Sequence, residues 1–103
     1  MPYEIILAPQ AVEDLRHLRA NVRAAVRDAI EQFLRHQPTV TSKARIKRLR
    51  GLSRPQYRLR IEDVRVFYDV IEKRVEILAI ITKSEAITWL KQTGEPNEED
   101  RVV

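Results

Sequence analysis

Cysteine, glycine and histidine are scarce in this chain of 103 residues, which has no cysteine, two glycines and two histidines. The absence of cysteine excludes a disulfide framework, a thiol nucleophile and a thiolate metal site. Two glycines are too few for a glycine-rich phosphate loop. Because His17 and His36 are isolated in the sequence, we expect no metal site and no cofactor.

Long hydrophobic runs are also missing. The longest, residues 77–81, has five residues, whereas a membrane-spanning helix needs about 20. The chain begins Met-Pro-Tyr-Glu, without the basic start and apolar core of a signal peptide. We therefore predict a cytoplasmic protein without a membrane partner. Its length suits a single domain over residues 1–94, followed by an acidic, disordered tail over residues 95–103.

Positive charge is concentrated in one block. Residues 43–65 contain nine lysines and arginines against two acids, while the whole chain carries a net charge of +4. Such concentrated charge is typical of a surface that binds a phosphate backbone. An acidic protein partner is the alternative for the same residues. The predicted nucleic-acid-binding residues are Lys43, Arg45, Lys47, Arg48 and Arg50.

The hydrophobic pattern predicts an α+β fold with the element order β-α-α-β-β-β-α. Apolar residues spaced three and four apart indicate two N-terminal helices, and alternating residues after position 56 indicate three strands. Closely connected strands predict an antiparallel sheet packed against the helical hairpin. Ile46, Leu49 and Leu52 indicate a helical turn within the basic connection. The capping-box pattern from Thr82 to Glu85 predicts a short C-terminal helix.

Three arginines alternate with apolar residues in the predicted strands. Arg58 and Arg60 flank Leu59, and Arg65 follows the acidic turn at positions 62–63. Because side chains alternate across a strand, this spacing points the three arginines at one surface. A solvated strand face is the simpler interpretation of Arg58 and Arg60. For Arg65, the simpler interpretation is an ion pair with a neighbouring aspartate.

The order of short motifs resembles the RelE/ParE superfamily of bacterial type II toxins. The motifs are K-x-L-x-G at residues 47–51, Y-R-x-R at residues 57–60 and R-V-x-Y at residues 65–68. The resemblance implies a toxin that forms a hetero-oligomer with a cognate antitoxin. It also implies one of two activities. The RelE branch cleaves messenger RNA on the ribosome, and the ParE branch poisons DNA gyrase without cleaving RNA.

The resemblance implies a metal-independent ribonuclease site at Arg58, Arg60, Arg65 and Lys83. We assign Arg60 and Arg65 to the scissile phosphate and Arg58 to the RNA backbone, because guanidinium groups are permanent cations. Lys83 is the candidate for proton transfer. The apolar side chains of the last helix that we expect to bind a partner are Trp89 and Leu90.

Two departures from the RelE pattern keep the alternatives open. Ser84 stands where the family has an arginine, and no tyrosine follows Tyr68. Both favour the ParE-like gyrase poison over the ribonuclease, whereas the clustered arginines favour the ribonuclease. A third hypothesis is a module that binds nucleic acid or an antitoxin without being toxic. Our leading prediction from the sequence is an mRNA endonuclease that arrests translation.

Overall fold

The fold is built on one five-stranded sheet, and the computed structural model describes residues 1–97. The second helix continues for five residues with wider, π-helical turns over Ile30–Leu34. In chain order, the elements are β1 (Glu4–Leu7), α1 (Pro9–Arg16), α2 (Ala20–Ala29), β2 (Ile46–Arg48), β3 (Leu52–Arg54), β4 (Tyr57–Ile61), β5 (Val64–Ile71), β6 (Arg74–Thr82), α3 (Lys83–Thr93) and β7 (Glu95–Pro96).

The sheet has the strand order β1-β6-β5-β4-β2. Strands β4, β5 and β6 form the predicted antiparallel meander, and β2 adds to β4 in the same sense. The predicted α+β class is confirmed, but the sheet is mixed because β1 pairs with β6 in parallel. A parallel pair needs a long crossover, and here the helical hairpin and three further strands of the sheet lie between the two strands.

The predicted helical turn in the basic connection is wrong. Ile46 begins β2 opposite Leu59, and Leu52 begins β3, which pairs with β7 in a separate two-stranded sheet. Ile46 is buried in the core between the sheet and the helical hairpin. Because β4 offers free backbone groups along its edge, pairing with it satisfies the polar backbone of β2 better than a single helical turn would.

The helical hairpin covers one face of the sheet and completes the main core. Val26 and Leu34 pack there against Leu59, Val66 and Tyr68, all of which are fully buried. The Tyr68 hydroxyl donates a hydrogen bond of 2.7 Å to the Pro38 carbonyl. Burial, with a smaller contribution from Tyr57, raises the pKa of Tyr68, so its hydroxyl remains a donor at neutral pH.

A carboxylate of α1 attaches the helical hairpin to β6. Asp14 is half-buried and accepts the Ile80 N–H at 2.9 Å and the Gln10 amide at 3.3 Å. Burial raises the pKa of Asp14, while these hydrogen bonds act in the opposite direction. The carboxylate therefore replaces a strand partner for one backbone donor of β6.

Helix α3 lies on the other face of the sheet and starts as the sequence predicts. The Glu85 carboxylate accepts the Thr82 N–H at 3.2 Å, which is the reciprocal half of a capping box. The described residues include no helix long and apolar enough to span a membrane. Of the expected disordered tail, Glu95 and Pro96 form β7, and residues 98–103 lie outside the described part of the chain.

Candidate functional site

A groove of about 580 Å³ opens on the face of the sheet opposite the helical hairpin. Its apolar floor comes from the sheet, the loop after β2 and α3, and four cationic side chains border it. A cation-rich groove with an apolar floor suits a ligand that carries phosphate groups and planar rings. The lining residues are Lys47, Leu49, Arg58, Asp63, Arg65, Phe67, Lys83, Ser84, Ala86, Ile87 and Leu90.

The strand register brings the arginines together. Arg60 lies directly opposite Arg65 across β4 and β5, and Arg58 lies opposite Phe67. Cross-strand partners share a face of the sheet, so all four side chains project away from the helical hairpin. The Lys83 N–H donates to the Asp63 carbonyl at 2.8 Å, which fixes the start of α3 beside the β4–β5 turn.

Arg65 is held by the backbone of its own turn. Its side chain is buried, and Nη1 donates to the carbonyls of Glu62 at 2.7 Å and Val64 at 3.1 Å. Glu62 has a φ of 51°, a left-handed conformation that few residues other than glycine adopt. Within residues 1–97 no carboxylate forms an ion pair with Arg65, so the simpler sequence interpretation is not realised there.

Arg58 carries a partly buried charge without a counterion among the described residues. Its Nε is buried and has no hydrogen-bond partner in that part of the chain. Burial lowers the pKa of Arg58, and the neighbouring charges of Arg65 and Arg60 lower it further. Burial and the charge of Arg60 also lower the pKa of Arg65, while the charge of Asp63 acts in the opposite direction. A bound anion would offset the repulsion among the three arginines and would accept a hydrogen bond from Arg58 Nε.

The other two predicted catalytic residues differ in position. Lys83 is exposed at the rim and contributes to the groove lining. Arg60 is also exposed, but it does not line the groove, although it lies on the same face of β4. The structure therefore brings Arg58, Arg65 and Lys83 together and leaves Arg60 beside them.

The predicted nucleic-acid-binding block divides into two groups. Arg45 lies over the Phe33 ring at 5.3 Å, and Arg48 lies over the Tyr57 ring at 5.2 Å, so both contribute to packing. Arg48 also donates to the Gln56 carbonyl at 2.7 Å. All five side chains are exposed, but the remaining three make no such ring contact within residues 1–97, and Lys47 reaches the groove itself. These three are Lys43, Lys47 and Arg50.

A sequence model for the ParE toxin of the type II toxin–antitoxin system parDE matches residues 5–87. The chain belongs to this toxin family. The match confirms membership of the RelE/ParE superfamily, and it extends from β1 into the first half of α3. The groove residues of the toxin from Lys47 to Ile87 all lie within the matched range.

Solved toxin structures share the fold. The RelE–RelB complex of Pyrococcus horikoshii is 26% identical with a TM-score of 0.66, covering 81% of this chain and 97% of that chain. A mutant of the Escherichia coli toxin RelE in the free state is 20% identical with a TM-score of 0.70, covering 100% of both chains. The RelBE2 toxin–antitoxin complex of Mycobacterium tuberculosis is 24% identical, with a TM-score of 0.65 and coverage of 81% and 100%. The comparison with curated proteins found no match.

The two predicted partner-binding residues of the toxin lie at different depths. Trp89 is buried, stacks on Phe67 at 5.0 Å between ring centroids and donates to Gln10 at 3.1 Å. Trp89 is therefore part of the core under α3, while Leu90 reaches the groove. Sequence reasoning missed Ile87, which is 67% exposed at the groove edge. Its position one helical turn before Leu90 was the available signal.

The groove has the components for binding an anion and for moving a proton. Arg58 and Arg65 supply permanent positive charge, and Asp63 and Lys83 are titratable groups on the same lining. In residues 1–97, no group of three or more histidine, cysteine or acidic side chains is arranged to hold a metal ion. The side chains of the groove can therefore bind a phosphodiester and exchange protons with it.

Proposed function

We propose that this toxin is a ribosome-dependent mRNA endonuclease that arrests translation and is held inactive by a cognate antitoxin. One observation carries the proposal: Lys47, Arg58, Arg65 and Lys83 converge on one groove, and no carboxylate of residues 1–97 pairs with them. Four cations against one carboxylate, Asp63, give this groove an excess of positive charge that suits a polyanionic substrate.

The proposed reaction is transfer of a phosphoryl group within the RNA chain. The ribose 2′-oxygen forms a bond to the adjacent phosphorus, and the bond from phosphorus to the 5′-oxygen breaks. The products are a 2′,3′-cyclic phosphate and a free 5′-hydroxyl. The negative charge that develops on the phosphoryl oxygens is stabilised by Arg58 and Arg65. Backbone carbonyls hold the Arg65 guanidinium in position before the substrate binds.

Two groove residues account for the protons. The Asp63 carboxylate accepts the proton of the 2′-hydroxyl, and the Lys83 ammonium donates one to the departing 5′-oxygen. The main-chain hydrogen bond between these residues keeps their side chains at the same end of the groove. No metal ion is required in this scheme, because the guanidinium groups provide the positive charge at the phosphate.

The antitoxin forms the second part of the proposal. Toxin–antitoxin complexes from Pyrococcus horikoshii and Mycobacterium tuberculosis have this fold. We infer that an antitoxin binds this chain as well, with acidic side chains on the groove and apolar ones against Ile87 and Leu90. Burial of both apolar side chains would add to the charge attraction.

The test is to map the 5′ ends of translated messages after the toxin is induced. The wild type should produce new ends in phase with codons, and Arg65→Ala should reduce them by about 100-fold, as expected for loss of one preorganised cation. Arg27→Ala is the matched control, because it removes one exposed charge from the helical hairpin on the other face. Equal cleavage by Arg65→Ala and Arg27→Ala would refute the assignment.

A non-enzymatic DNA gyrase poison is the second candidate function. The match to the ParE toxin model favours it, and so does a groove lining without histidine or tyrosine. Under this alternative, induction leaves messages intact and breaks chromosomes. Asp63→Asn and Lys83→Gln should then leave toxicity unchanged, whereas each should slow an endonuclease by about 100-fold or more.

A further inference from the structure

The chain after α3 folds back onto the loop that follows β2. The Gly94 N–H donates to the Leu90 carbonyl at 2.8 Å. A Cβ atom on Gly94 would lie 2.5 Å from the Leu90 oxygen and 3.3 Å from the Leu52 side chain. Glycine therefore permits the chain to leave the helix close to β3.

Two kinds of contact hold the returning segment. Glu95 and Pro96 pair with β3, and the Ser53 hydroxyl donates to the Glu95 carbonyl at 3.2 Å. Arg54 Nε lies 3.9 Å from the Glu95 carboxylate. The backbone pairing and the ion pair together fix the position of the chain at residues 95–96.

The direction of β7 leads the chain towards the basic block. Because β7 is antiparallel to β3, it runs from Arg54 back to the start of β3. The Asn97 N–H then donates to the Gly51 carbonyl at 3.1 Å. Gly51 follows Arg50 directly, and Leu49 lies in the groove lining. The described part of the chain thus ends beside the cationic end of the groove.

The next three residues are acidic: Glu98, Glu99 and Asp100. Three residues span at most roughly 10 Å. They follow Asn97, which contacts Gly51, and Gly51 is the chain neighbour of Arg50. A segment tethered this closely has an effective concentration in the millimolar range. At such a concentration, even a weak charge attraction is enough to produce substantial binding.

We propose that residues 98–100 bind the basic surface formed by Lys47, Arg50 and Arg58 and compete there with polyanionic ligands. The inference rests on the proposed function only in taking this groove as the site for nucleic acid. Arg58 provides the main attraction, because its partly buried charge has no counterion in residues 1–97. The acidic segment thus acts as an internal substitute for phosphate.

The first test compares two variants of the full chain with the same net charge. The variant E98Q/E99Q/D100N neutralises the segment. The control E4Q/E13Q/D28N neutralises three exposed acids on β1 and the helical hairpin, and β1 lies at the opposite edge of the sheet from β2. The probe is a fluorescent oligodeoxythymidylate, because the absence of 2′-hydroxyl groups prevents cleavage.

The segment variant should bind this probe about 3- to 10-fold more tightly than the control at low salt, as expected for removal of a competitor at millimolar effective concentration. The difference should disappear at about 1 M salt, where charges are screened beyond about 3 Å. Equal affinities of the two variants at low salt would overturn the proposal.

A second measurement needs no nucleic acid. Because the chain has no cysteine, Val102→Cys provides a single position for a spin label. The label should broaden the amide signals of Lys47, Arg50 and Leu90, and the added segment substitutions should abolish the broadening. Absence of broadening in the labelled chain with its natural acids would also overturn the proposal.

The outcomes separate this inference from the proposed function. If the toxin cuts no message but the segment variant binds the probe more tightly than the control, the endonuclease proposal fails and the competitor proposal stands. If the toxin cuts messages and both variants bind equally, the competitor proposal fails alone.

Discussion

The two faces of the sheet are built from the same strands but serve opposite purposes. Leu59 and Val66 are fully buried under the helical hairpin. On the opposite face, their sequence neighbours Arg58 and Arg65 form a cation cluster in which neither arginine makes an ion pair within residues 1–97. Because side chains alternate along a strand, one short sequence can complete a core and prepare a binding site.

The two faces of the sheet differ in how well their polar groups are paired, and therefore in how much they stabilise the fold. The face under the hairpin satisfies its polar groups internally, as the hydrogen bond from Tyr68 to Pro38 illustrates. The groove face leaves the Nε of Arg58 without a hydrogen-bond partner among residues 1–97 and places like charges near one another. Unpaired polar groups and neighbouring like charges occur mainly at functional sites, where a ligand supplies the missing partner.

The largest expected effect is a difference in unfolding free energy between substitutions at two neighbouring residues of β4. Leu59→Ala should lower the free energy of unfolding by about 2–5 kcal/mol, because it leaves a cavity in the core under the hairpin. Arg58→Ala should lower it by less than about 1 kcal/mol, because the lost contacts are offset by relief of charge repulsion. Urea denaturation measures both. A larger loss in Arg58→Ala than in Leu59→Ala would contradict the contrast between the two faces.

A smaller effect tests the satisfied polar group of the core. Tyr68→Phe removes the hydroxyl and leaves the Pro38 carbonyl without its donor. We expect a loss of about 1–3 kcal/mol in unfolding free energy, the desolvation cost of one buried acceptor. Tyr57→Phe is the control, since Tyr57 stacks on Tyr68 but is less buried. Similar losses in the two variants would refute this role of the hydroxyl.

Phosphate should stabilise the groove face. At ten times its dissociation constant, a ligand that binds only the folded state adds about 1.4 kcal/mol to the free energy of unfolding. We expect thermal denaturation in phosphate to occur at a higher temperature than in chloride of equal ionic strength. Arg58→Ala should abolish the difference, and Arg27→Ala should retain it. An identical phosphate response in both variants would place the anion elsewhere.

The smallest expected effect concerns pH and Asp14. Burial raises the folded-state pKa of Asp14 above its ordinary value of 3.8. The folded state therefore binds this proton more tightly than the unfolded state, and stability rises as the pH falls through the folded-state pKa. Relative to Asp14→Asn, the wild type should become more stable between pH 7 and about pH 4. Parallel pH profiles from chemical denaturation would contradict this sign.

Local patterns made much of the fold predictable. The alternating residues of β4 and β5 predicted both strands and the shared face of Arg58 and Arg65, because strand periodicity alone determines these features. The capping pattern at Thr82 likewise placed the start of α3. The short motifs predicted the superfamily, and the family match confirms it.

These local patterns could not predict which distant segments of the chain pair with one another. The parallel pair β1–β6 and the short strands β2 and β3 depend on which edges of the sheet are free, and that is known only after the chain has folded. The position of Trp89 depends on Phe67 and Gln10, which are far away in sequence. A helix pattern identifies an apolar side chain without specifying what covers it.

For this toxin, the sequence by itself determined the α+β class, the concentration of positive charge and the face on which the strand arginines project. All three follow from composition or from spacing over a few residues. Tertiary structure decided that Arg58 lines the groove while Arg60 does not, and that the chain after α3 returns to the basic block. Those features depend on how α3, β3 and β7 pack across the sheet, and packing is a property of the whole chain.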